Sequence, residues 1–154
     1  MASCVPLGGQ MLFGKRKRIV KRILIVEDEP LTAFDNEVML EDLGYEVVAT
    51  LDRFADAIEQ LDKEDVDLVL SDLRLTGKRN GIDLARAARH RGIPVLFATG
   101  HKLPEESKEV AVGCLKKPYT ERQLKNALET VDKVLRGEQV KTPKGLDLYP
   151  RVES

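Results

Sequence analysis

Short, uninterrupted apolar runs alternate with helix-patterned segments along most of this chain, and that alternation leaves few folds open. Ile23-Leu24-Ile25-Val26 and Leu68-Val69-Leu70 are apolar at consecutive positions, so both faces of each strand must be covered. Strands are expected at residues 22–26, 45–50, 66–71, 93–99 and 112–116. Between them, Pro30 suits the first turn of a helix, where Leu31, Phe34, Val38 and Met39 recur at helical spacing, with Leu43 one turn on and Gly44 at the end. Phe54, Ile58 and Leu61 mark one face of a second helix, and Ile82, Ala85 and Ala88 that of a third. Residues 105–110 allow only a short fourth. Thr120 and Gln123 form a capping box before Leu124, Leu128, Val131 and Leu135, with Gly137 beyond. Strands covered on both faces and separated by helices make a parallel sheet. The chain reads as an α/β fold, (βα) five times over, in a doubly wound parallel sheet of flavodoxin-like order 2-1-3-4-5.

At 154 residues the chain suggests one domain, large enough to bury a core without disulfide staples. Residues 1–20 read as a flexible N-terminal arm, 21–137 as the folded unit and 138–154 as a C-terminal tail. Lys+Arg total 25 against Asp+Glu 26, for a net charge of −1, and there is no Trp. Neither bulk charge nor a stacking platform therefore supports nucleic-acid binding. No apolar stretch approaches the ~18 residues of a membrane span. Cys4 and Cys114 belong to no Cys/His cluster, so a zinc site is not expected, and reduced thiols in a cytoplasmic protein are.

The chemistry gathers at strand ends. Glu27 and Asp28 follow the first strand, Asp72 the third, Thr99 the fourth and Lys117-Pro118 the fifth. In an open α/β sheet the carboxyl ends of the strands line the ligand crevice, so acid, acid, hydroxyl and ammonium converge there. Such a carboxylate cluster suits Mg²⁺, whose charge would allow an aspartate to approach an anionic phosphoryl group. Lys117 and Thr99 would add a cation and a neutral donor to the phosphoryl oxygens.

These residues resemble the receiver domain of two-component response regulators over residues 22–135. The matching pieces are Ile23-Leu24-Ile25-Val26-Glu27-Asp28-Glu29-Pro30, the 67–72 run, Gly81-Ile82-Asp83-Leu84, Ala98-Thr99-Gly100 and Lys116-Lys117-Pro118-Tyr119. The resemblance implies that Asp72 is the phosphoacceptor. It implies that Asp28 and Asp72 bind Mg²⁺ with the support of Glu27 and the backbone carbonyl of Arg74. Thr99 would be the switch hydroxyl and Lys117 the phosphate-pairing lysine, before a cis proline bond. Cys114 stands where the family often has a mobile aromatic, and the Thr99-to-Lys117 interval is short. Phe97-Ala98-Thr99-Gly100 is similar to the motif of a receiver subfamily that is often stand-alone and partnered with HWE-type sensor histidine kinases. The implied function is a single-domain regulator that takes phosphate from a histidine kinase and then switches a protein-binding surface or serves as a phosphate sink. The alternative is a receiver-fold scaffold that works without phosphorylation. Enzymatic turnover is not expected. A phosphatase of this chemistry needs a second acid two residues after the nucleophile, and Arg74 stands there.

Overall fold

The computed structural model describes residues 17–150. Most of the segment read as an N-terminal arm, residues 1–16, and the last four residues lie outside the described residues. The elements run β1 (Arg22–Val26), α1 (Pro30–Asp42), β2 (Glu46–Leu51), α2 (Phe54–Lys63), β3 (Leu68–Ser71), α3 (Gly81–His90), β4 (Val95–Thr99), α4 (Ser107–Val110), β5 (Gly113–Lys116), α5 (Glu121–Leu135) and β6 (Leu146–Leu148). The sheet order is β2-β1-β3-β4-β5-β6. The first five strands are parallel in the expected 2-1-3-4-5 order.

Period-two alternation divides the core into two layers. Ile23 and Ile25 pack on one face with Leu40 of α1 and Leu124, Leu128 and Val131 of α5. Leu24 and Val26 pack on the other with Ala57 and Leu61 of α2 and Leu84, Ala85 and Ala88 of α3. At α5 the capping box forms as its residue pair predicts: Gln123 N–H donates to Thr120 Oγ1 at 3.1 Å, and Thr120 N–H to Gln123 Oε1 at 2.9 Å. At α1 Pro30 takes the first position, and the Leu31 amide donates to the Glu29 carboxylate.

Two features depart from the pattern read in the sequence. Of the apolar series on α1, Met39 and Leu43 pack against the core, but Leu31, Phe34 and Val38 are 75%, 63% and 39% exposed. The helix instead buries Ala33, Asn36 and Leu40, a face about one residue step away. Asn36 belongs there because its Oδ1 accepts the Tyr119 hydroxyl at 2.6 Å. The segment read as a C-terminal tail also gives the sheet a sixth strand. β6 pairs antiparallel with β5, Gly113 opposite Leu148, Cys114 opposite Asp147 and Leu115 opposite Leu146. A Cβ on Gly113 would lie 2.3 Å from the Asp147 carbonyl oxygen, so only glycine admits the strand at that distance. Leu146 is buried against the α5-side core.

Where the chain enters β1, two aspartates take up its main-chain amides. Asp132 of α5, only 2% exposed, accepts the Ile19 and Val20 amides through Oδ1 at 2.9 and 2.8 Å, and Arg136 Nε through Oδ2 at 2.8 Å. Asp67 accepts the Lys21 and Arg22 amides at 2.9 and 2.8 Å. Asp132→Ala would leave the buried Val20 amide without its acceptor and take one of two carboxylate partners from the Arg136 guanidinium, which keeps Glu138. It is expected to lower the unfolding free energy by about 2–4 kcal/mol, measured by urea denaturation.

Candidate functional site

The carboxyl ends of β1 and β3 are locked side by side by main-chain bonds. Glu27 N–H donates to Leu51 O of β2 at 2.8 Å, and Asp72 N–H donates to Val26 O of β1 at 2.9 Å. Glu27 and Asp72 are both buried, whereas Asp28 is exposed. One carboxylate oxygen from each of the three lies within 4.8 Å of the others. From the end of β5, Lys117 reaches between the two buried acids. Its Nζ bonds to Glu27 Oε1 and lies 3.2 Å from Asp72 Oδ2. The Glu29 amide donates to Glu27 Oε2 at 3.1 Å, and the Leu73 amide to Asp72 Oδ1 at 2.7 Å.

The charges within this group are unequal in effect. Burial raises the Glu27 carboxyl above its usual range, and the bonds from Lys117 and the Glu29 amide only partly oppose it. Burial also acts to raise Asp72, but the Lys117 charge and hydrogen bond, with help from Glu27 and the Leu73 amide, outweigh it and hold Asp72 below its usual range. Burial acts to lower Lys117, and its bond to Glu27 and the charge of Asp72 outweigh that and raise it. Asp72 is therefore an anion and Lys117 a cation at neutral pH. Three carboxyl groups surround a single ammonium and offer hard oxygen donors, one set open to solvent. That donor chemistry fits Mg²⁺, which takes one or two carboxylates and keeps several waters.

Thr99, at the end of β4, is buried, and its backbone carbonyl accepts the Lys117 amide at 3.1 Å. Its hydroxyl accepts the His101 amide at 3.1 Å. The structure thus brings Glu27, Asp28, Asp72 and Lys117 together, ties Thr99 to them through the main chain, and leaves the Arg74 side chain exposed in the loop after β3. The Lys117–Pro118 peptide is cis.

Three supports escaped the sequence reading. Ser71 Oγ donates to the Asp72 carbonyl at 2.8 Å. The Tyr119 hydroxyl ties the loop after Lys117 to Asn36 of α1. Gly81 opens α3 directly against the loop after β3: its amide donates to Leu73 O at 2.7 Å, and a Cβ there would lie 2.3 Å from the Asp72 carbonyl oxygen. Gly81→Ala is expected to push the Asp72–Leu73 main chain aside, lowering stability by about 1–3 kcal/mol and shifting the Asp72 and Leu73 amide resonances.

The response regulator receiver domain model matches residues 23–129, and the chain belongs to that family. It is 33% identical over 116 residues to the transcriptional regulatory protein PdtaR of Mycobacterium tuberculosis, covering 72% of this chain and 56% of the relative. Among solved structures, the PhyR response regulator of Brucella abortus aligns at TM-score 0.64 and 29% identity, over 79% of this chain and 51% of that one. The receiver domain of sensor histidine kinase PA1611 from Pseudomonas aeruginosa, with a magnesium ion coordinated in its active-site cleft, aligns at TM-score 0.62 and 26% identity, over 71% and 95%. The chain spans about half the length of PdtaR and of PhyR. Receiver domains are signalling domains of two-component systems that accept a phosphoryl group from a histidine kinase. Among the described residues, no helix is long and apolar enough to cross a membrane.

Cys114 occupies the β5 position three residues before Lys117. Burial pushes its thiol up to about 11 from 9.0, against a small lowering from the Thr99 backbone. The unfolded chain therefore loses this proton first. The stability it supplies is complete below pH 9 and is lost as pH climbs toward about 11. Urea midpoints should fall over that window, and by less in Cys114→Ala.

Proposed function

We propose that Asp72 is the phosphoacceptor of this receiver and takes its phosphoryl group from a sensor histidine kinase. The observation that carries this reading is the bridge from Lys117 to both Glu27 and Asp72, beside a carboxylate cluster of metal-binding size. Asp28 and Asp72 are the side chains proposed to hold Mg²⁺, with Glu27 supporting them and the Arg74 backbone carbonyl as a further ligand. When bound, the ion supplies charge neutralisation between two anions and alignment of the phosphoryl oxygens.

The rest is done by the chain's own groups. An Asp72 carboxylate oxygen attacks phosphorus in line, the P–N bond to the donor imidazole breaks, and that nitrogen keeps the electron pair. The product is an acyl phosphate on Asp72. Lys117, already beside Asp72 Oδ2, pairs with a phosphoryl oxygen as the new charge appears, and Thr99 turns its hydroxyl toward another. Chemistry of this kind needs positioning and charge more than covalent machinery.

A narrower reading is that the chain belongs with the Phe-Ala-Thr-Gly receivers and is served by an HWE-type kinase. Phe97-Ala98-Thr99-Gly100, the small residue at Cys114, the four-residue α4 and the likeness to PhyR support it. Phosphorylation would then switch a protein-binding surface or end in a sink. The folded unit proposed for this work is residues 21–137, with β6 added to its sheet edge.

Phosphotransfer from a kinase or acetyl phosphate tests the site. Asp72→Asn is expected to accept no phosphate, and Lys117→Ala to slow transfer about 100-fold or more while the fold persists. Wild-type rates in either variant would refute the assignment.

A further inference from the structure

The exposed residues of α1 fall in a definite order along the helix. Leu31, Phe34 and Val38 form an apolar row at spacings of three and four, with Asp35 beside Phe34, and the row runs on into exposed Glu41 and Asp42. Glu37 is engaged elsewhere, since its Oε2 accepts the Thr50 hydroxyl at 2.6 Å. α1 carries no lysine or arginine to offset the other acids, and its last turn has no basic residue to meet the helix carbonyls. A face that passes from apolar to acidic suits a segment that passes from apolar to basic.

Such a segment joins the fold at that end of the helix. Arg18 is fixed where α1 stops: its guanidinium lies 4.1 Å over the Tyr45 ring and donates to Gly44 O at 3.3 Å. Asp132 holds the next two amides, so the point of entry is set. Upstream of Arg18 the chain runs back through Lys17, Arg16 and Lys15, then Gly14, then Phe13, Leu12 and Met11. Traced back from Asp42, the exposed face of α1 runs through two carboxylates and then Val38, Phe34 and Leu31. Cations meet acids and apolar residues meet apolar residues in the same order. The lengths also agree. The helix rises about 12 Å from Asp42 to Phe34, and an extended chain spans about 13 Å from Arg16 to Leu12.

We infer that residues 11–16 of this chain are the occupant of the α1 face. Met11, Leu12 and Phe13 cover the row of Val38, Phe34 and Leu31, and Lys15 and Arg16 face Glu41 and Asp42. A segment tethered at Arg18 meets the face at an effective concentration on the order of millimolar, which favours it over a free partner of like chemistry. α1 is then open to another apolar, basic partner only when the chain's own segment lets go. The contact lies apart from the carboxylate cluster and does not require the proposed role of Asp72.

The test uses the full chain with the photo-crosslinking residue p-benzoylphenylalanine at position 34, an exposed site outside the core. Irradiation and peptide mass spectrometry are expected to join position 34 to residues 11–13 of the same molecule, with a yield independent of protein concentration. Lys15→Glu with Arg16→Glu is expected to cut that yield about threefold to tenfold, the worth of two exposed ion pairs. Adding Glu41→Lys and Asp42→Lys to that variant is expected to restore it. No crosslink to residues 11–16, or a crosslink to a second copy that grows with concentration, would overturn the assignment. A yield indifferent to both charge reversals would do the same.

Discussion

One ammonium group, Lys117 Nζ, allows two buried carboxylates to stand next to each other at the mouth of this sheet. Glu27 and Asp72 are both largely cut off from water, and each alone would resist charging. Lys117 resolves that conflict in favour of Asp72, which stays anionic, while Glu27 carries the residual penalty of burial. A buried ion group of this kind adds little to stability, because desolvation offsets most of the attraction. What it fixes is arrangement. It holds a charged, partly shielded acid at the carboxyl edge of the sheet.

That arrangement depends on the parallel sheet more than on any loop. β1 lies between β2 and β3, so its carboxyl end is tied by main-chain bonds on both sides, Glu27 to Leu51 and Asp72, after β3, to Val26. β5 enters from across β4, and the Lys117 amide extends the ladder to Thr99. Side chains from separate stretches of sequence thus meet without one of them sitting on a free loop. Gly81 completes the frame by letting the first turn of α3 press on the Asp72 carbonyl. The opposite holds at α4, a single turn with little of its surface in the core, which is the pliable side of the same crevice.

Most of this was legible because the strongest signals were local. Apolar runs gave the strands, capping pairs and glycines gave the helix ends, and carboxylates at strand ends gave the site. Most of the misses share another cause: they depend on a partner far away in sequence. The exposed series Leu31, Phe34 and Val38 has the helical period but the wrong phase, because Asn36 is drawn inward by a tyrosine 83 residues later. Asp132 hides among the inward apolar residues of α5, and its partners Ile19 and Val20 lie over a hundred residues upstream. β6 is three residues long, too short for alternation to speak, and it depends on Gly113 in another strand. Asp72 was visible from its own run, but Ser71 and Gly81, which hold its main chain, carry no chemistry of their own.

The exposed row on α1 has a further consequence. The helix bears four carboxylates, Asp35, Glu37, Glu41 and Asp42, and no lysine or arginine. Asp28 and Glu29 extend that acidity at its amino end. Two copies brought together through this face would bury Leu31 and Phe34 only by crowding like charges, so the surface is greasy yet self-repelling. Dissolved salt screens that repulsion over roughly 10 Å at 0.1 M and leaves the apolar surface unchanged.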